Sequence, residues 1–82
     1  MKIKTTYEYF NLPYEELIQT KDNGYTKEEC LLFDDGLNVT FFDDLEELEA
    51  ENEEFDEWIN ERNYKVKTIV ETMNGRIAVV LI

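Results

Sequence analysis

The chain has 82 residues, 43% of them apolar, and its twenty acids against eight bases give a formal net charge of −12. That length fits one domain spanning residues 1–82, with a core that removes roughly 60–65% of the unfolded chain's surface from water. The chain has no histidine or serine, which excludes Ser–His and Cys–His nucleophilic arrangements, and a single cysteine, Cys30, which excludes an internal disulfide and a cysteine-based zinc cluster.

In chain order, Ile3, Thr5, Tyr7 and Tyr9 alternate with Lys2, Lys4, Thr6 and Glu8, a period of two that predicts a strand over about residues 2–10. Asn11 then caps a short helix with Pro13 in its first turn and Leu12, Leu17 and Ile18 on its buried side; the run from Lys21 to Gly24 ends it. Residues 28–42 admit two readings. Thr26 with Glu29 resembles a capping box, which would open a helix over residues 30–33. The apolar runs 30–33 and 37–42 around Asp34-Asp35-Gly36 read instead as a hairpin, and the Asp-Gly turn signal favours it.

Residues 43–62 predict one helix capped by Asp43 or Asp44. Leu45, Leu48, Phe55 and Ile59 form its apolar stripe, Trp58 lies at the margin, Asn52 interrupts the stripe and Asn63 stops the helix. A second hairpin follows, with strands over residues 64–72 and 77–82 joined at Asn74-Gly75, and the second of these strands is apolar on both faces and therefore central. The expected fold class is α+β: a small, mainly antiparallel sheet with two helices on one face, in the order β-α-β-β-α-β-β.

The charge is concentrated. Thirteen acids and no base lie between Asp34 and Glu61, whereas the rest of the chain has seven acids and eight bases. Eleven of those carboxylates fall in residues 43–61. As a continuous helix they would span roughly 27 Å, about one charge per 2.5 Å. A DNA duplex has one per ~1.7 Å and a single strand one per ~3.4 Å. Glu47/Glu51, Glu49/Glu53, Glu53/Glu57 and Glu57/Glu61 are like-charged i,i+4 neighbours with no lysine to relieve them. Ordinary solvated helices mix signs, so the pattern points to a cationic target; its bland counterpart is an acid-rich face kept for solubility.

Other chemistry has little support. Cys30 sits in an apolar run and reads as a buried structural thiol. Asp34-Asp35-Gly36 lacks the spacing of a calcium loop, so no metal site and no cofactor are expected. The chain is not expected to be an enzyme. Its start does not read as a signal peptide, and its longest apolar run, residues 77–82, is far short of a membrane span of roughly 20 residues. A lone cysteine fits a reducing cytoplasm, and an anionic chain is repelled by anionic membranes and by nucleic acid.

In size, charge and the placement of acids along residues 43–57, the chain resembles the small acidic proteins with which phages and mobile elements block host nucleic-acid enzymes, such as anti-CRISPR, antirestriction and uracil-DNA glycosylase inhibitor proteins. The likeness is one of composition and assigns no family. It implies an inhibitor that mimics nucleic acid and fills the basic channel of a defence or DNA-processing enzyme. The expected partner surface comprises Asp43, Glu46, Glu47, Glu49, Glu53, Glu54, Asp56 and Glu57, with Asp34 and Asp35 as an outlying pair and Tyr7 and Tyr9 as a second contact region. Two alternatives stand beside it: an immunity protein or antitoxin that neutralises a basic toxin nuclease, and an acidic adaptor with no charge-based inhibitory role.

Overall fold

A computed structural model describes residues 3–82. Over the described residues the fold is α+β, with a four-stranded mixed sheet and five helices. The elements are β1 (Lys4–Thr5), α1 (Thr6–Phe10), α2 (Tyr14–Leu17), α3 (Lys27–Asp35), β2 (Asn38–Phe42), α4 (Leu45–Ala50), α5 (Asn52–Glu61), β3 (Val66–Glu71) and β4 (Ile77–Leu81). The strand order is β1-β3-β4-β2, with β1 parallel to β3 and the other two pairings antiparallel.

The C-terminal hairpin is as expected. Gly75 adopts φ +86 at the Asn74-Gly75 turn, and all five residues of β4 are buried. Their alternation divides the core. Ile77, Val79 and Leu81 pack with Phe42, Leu48 and Ile59, while Ala78 and Val80 pack with Val70 and Leu32. The sheet therefore has α4 and α5 on one face and α1 and α3 on the other, which corrects the expectation of two helices on a single face. Near-continuous apolarity in β4 is the signature of a strand covered on both sides.

Four further expectations are corrected. The N-terminal strand stops at Thr5, because Thr5 and Glu8 form a reciprocal capping box that turns the chain into α1; Lys2 lies outside the described residues. Asn11 ends α1 in the left-handed region (φ 56) instead of opening the next helix, and α2 begins after Pro13 with no side-chain cap.

The first hairpin is replaced by α3. The Thr26–Glu29 box is formed in both directions, and the Asp-Gly step is the exit of a helix. Gly36 has an extended backbone (φ −153), so its role is not conformational freedom. An added Cβ would lie 2.5 Å from the Leu81 carbonyl oxygen and 2.6 Å from Val80 Cγ1, so the glycine lets the chain pass against β4.

The long acidic helix is broken at Glu51, which has φ −102 and ψ 8 and lies between α4 and α5. Every residue from Glu49 to Glu54 is exposed, so no apolar side chain holds that turn on the sheet, and Glu47/Glu51 repulsion opposes its continuation. No helix of the described residues is long and apolar enough to cross a membrane.

Candidate functional site: the acidic face of α4 and α5

Asp44, not Asp43, is the N-cap of α4, its carboxylate accepting from the Glu47 amide at 2.8 Å. Glu47 returns the bond, its carboxylate accepting from the Asp43 amide at 3.0 Å. The exchange fixes the start of the acidic segment and leaves Glu47 half-buried. Leu48 and Ile59 are buried against the sheet, and Phe55 and Trp58 are half-buried beside them. Leu45, expected on the apolar stripe, is 42% exposed.

Anchoring one side of α4 and α5 turns the other to solvent. Asp43, Glu46, Glu49, Glu53, Glu54, Asp56 and Glu57 are all exposed, and none forms an ion pair among the described residues. Among the described residues the only ion pair on this segment joins Glu61 to Arg62 at 3.9 Å, and both side chains are exposed. The carboxylates are spread out: no group of three or more among the described residues could hold a metal ion.

The break at Glu51 changes the charge geometry. Glu46, Glu47 and Glu49 lie on six-residue α4, and Glu53, Glu54, Asp56, Glu57 and Glu61 on ten-residue α5. At 1.5 Å per residue each helix has about one carboxylate per 3 Å, close to a single nucleic-acid strand and below a duplex. The surface is two short anionic helical segments separated at Glu51, and not one continuous helix.

The outlying residues separate. Asp34 is exposed. Asp35 is half-buried and serves the fold: Lys67 Nζ donates to its carboxylate at 2.8 Å and to its backbone carbonyl at 2.7 Å, and the Tyr9 hydroxyl donates to the other carboxylate oxygen at 2.8 Å. Burial pushes the Asp35 carboxyl up, but the bonds from Lys67 and Tyr9 and the Lys67 charge outweigh it and hold the group below its ordinary value. The same burial, with the bond to Asp35 and its negative charge, pushes the Tyr9 hydroxyl up to about 12.

Tyr7 and Tyr9 therefore do not share the face of an edge strand. Two positions apart on α1 they point to nearly opposite sides; Tyr7 is 46% exposed, and Tyr9 faces the core with Phe10. Cys30 is half-buried, not buried, with Sγ 3.7 Å from the side-chain nitrogen of Asn23.

Two features were not found from sequence. Glu28 is 7% exposed, and one of its carboxylate oxygens accepts from both the Thr6 hydroxyl and the Met73 amide, tying α3 to α1 and to the β3–β4 turn. The other is a groove of about 290 Å³ between β2 and α5, lined by Thr40, Phe42, Glu51, Glu54, Phe55 and Trp58. Its aromatic residues are legible in the sequence as core residues, but their meeting at an outer strand depends on the sheet order. No model of a known protein family, no curated protein and no solved structure matches the chain.

Proposed function

We propose that this protein is an inhibitor that presents α4 and α5 as a substitute for a nucleic-acid strand and blocks the basic channel of a nucleic-acid-binding enzyme. One observation supports this most strongly: seven exposed carboxylates between Asp43 and Glu57 have no cationic partner among the described residues. Leaving them unpaired costs the fold through like-charge repulsion and keeps them available to a cationic surface. Their spacing of about 3 Å on each helix matches a single strand best.

Glu46, Glu49, Glu53, Glu54, Asp56 and Glu57 act as phosphate surrogates, with Asp43 and Glu47 at the start of the face and Asp34 outlying. Asp35 and Tyr9 hold the fold behind them. Association is fast and weakens steeply with salt, because many screened contacts carry it. The test is the triple substitution Glu49→Lys, Glu53→Lys and Glu57→Lys, assayed for displacement of labelled single-stranded and duplex DNA from a captured target. Loss of displacement by the folded variant supports the reading, and undiminished displacement refutes it.

The aromatic groove beside the acidic face favours a second reading, an immunity protein against one basic toxin nuclease. Binding energy would then concentrate in a few desolvated residues. An alanine scan separates the two, since mimicry spreads the loss over many carboxylates.

A further inference from the structure

β2 is an outer strand of the sheet, so the backbone groups on its outer side have no strand to pair with among the described residues. Phe42 belongs to the core cluster on the α4–α5 side, and Thr40, two residues away, lines the groove on that same side. Beyond them Phe42 and Phe55 meet edge to face at 5.2 Å, and the Trp58 ring lies nearly parallel to Phe55, 6.1 Å away. Glu51 and Glu54 complete the lining; both are exposed, and neither forms an ion pair among the described residues.

We propose that this groove seats one arginine side chain of the partner, carried on an extended segment that adds to the open edge of β2. The proposal rests on the inhibitor reading in one respect: it names the anchor that the basic partner supplies.

Three features select arginine. A guanidinium stacks on an aromatic ring while bonding carboxylates at its rim, and this groove offers both. The fold already uses that contact twice, with Arg62 4.5 Å from the Trp58 ring centre and Arg76 4.4 Å from that of Phe41. Arg62 covers part of the Trp58 ring and is not among the groove's lining residues, while Phe55 and Trp58 are only half-buried, so the aromatic surface left for a guanidinium is the exposed part of these two rings. Side chains of an added strand alternate between faces, so every second one falls beside Thr40 and Phe42, in front of Glu51 and Glu54. A second copy of this chain is a poor occupant because each copy has a net charge of −12.

Trp58 is the sole tryptophan of the chain, so its fluorescence reports occupancy directly. The probe is the capped peptide Thr-Val-Arg-Val-Thr, with versions in which citrulline or lysine replaces the arginine, all at one ionic strength. The arginine peptide is expected to give a saturable change in Trp58 emission. Neutral citrulline should bind about ten-fold or more weakly, and lysine measurably less well than arginine, since each loses part of the stacked, bidentate contact. The pair Glu51→Gln and Glu54→Gln should weaken the arginine peptide by about ten-fold. The charge-matched pair Glu15→Gln and Asp22→Asn should not.

No response to the arginine peptide, equal binding of the citrulline peptide, or equal weakening by both pairs overturns the groove. Lysine matching arginine overturns the stacked contact. If any of these occurs while the protein still displaces nucleic acid from its target, the groove alone fails; loss of that displacement as well removes the reading beneath it.

Discussion

Glu57→Lys tests whether the acidic face is kept against the interest of the fold. Glu53, Glu57 and Glu61 are successive i,i+4 neighbours on α5, and all three are exposed. Each like-charged contact is unfavourable by about 0.2–0.5 kcal/mol, and the reversed charge makes each favourable by a similar amount. Two contacts change sign, so the variant should gain about 0.8–2 kcal/mol. Glu53 lies on the N-terminal side of the introduced lysine, which is the better order for such a pair. The existing Glu61–Arg62 contact, 3.9 Å long and exposed, offsets little of this. For a domain of this size the gain corresponds to a rise in Tm of roughly 3–16 °C. Circular dichroism melts of wild type and variant at ~10 mM and ~1 M salt read it, because the screening length falls from about 30 Å to about 3 Å. The gain should be clear at low salt and should mostly vanish at high salt. An unchanged or lowered Tm at low salt, or an equal gain at both salts, would refute the reasoning that repulsion along α5 is real and unrelieved.

Gly36→Ala should destabilise the protein by about 1–3 kcal/mol in urea melts, since its Cβ would press on the Leu81 carbonyl oxygen and Val80 Cγ1; an unchanged midpoint would mean that α3 and β4 yield freely. Glu28→Ala should cost more than Glu28→Gln, because alanine orphans the Thr6 hydroxyl and the Met73 amide, at about 1–3 kcal/mol for each buried group, while the glutamine oxygen still accepts from both. The Tyr9–Asp35–Lys67 cluster gives two limbs to stability against pH. Asp35 is held below its ordinary value, so its contribution is present above the unfolded value of 3.8 and is lost as pH falls through the lower folded value. Tyr9 is raised, so its contribution is full below pH 10 and is lost between 10 and about 12. Denaturation at graded pH should show the acid limb shrinking in Asp35→Asn and the alkaline limb shrinking in Tyr9→Phe.

The parts of the fold that were legible had a single consistent signal. Asn74-Gly75 between alternating strands gave the C-terminal hairpin, and the two-sided apolarity of Ile77 to Leu81 placed β4 at the centre. The errors came where two local signals competed. Thr5 to Tyr9 alternates like a strand, but Thr5 and Glu8 are also a capping box, and the box won. Thr26 and Glu29 prevailed in the same way over Asp35-Gly36, whose glycine answers to packing against β4 and not to a turn. Burial of β4 on both faces implied helices on both faces, a consequence not drawn from the sequence.

For the site, the solvent exposure of the acids followed from the apolar stripe. The break at Glu51 had a trace in Asn52, where the stripe fails. The loss of Asp35 and Tyr9 to a structural cluster had none, because Lys67 lies 32 residues away and meets Asp35 only through tertiary packing.

The most direct measurement is capture of binding partners on immobilised protein from a lysate freed of nucleic acid, washed with rising salt and with competing single-stranded DNA. Mimicry predicts retention of basic nucleic-acid-binding proteins at ~50 mM salt and their release by competing DNA or by several hundred millimolar salt, with no retention on the triple variant carrying lysine in place of Glu49, Glu53 and Glu57. Retention that resists both salt and DNA, or that survives in the variant, would contradict it.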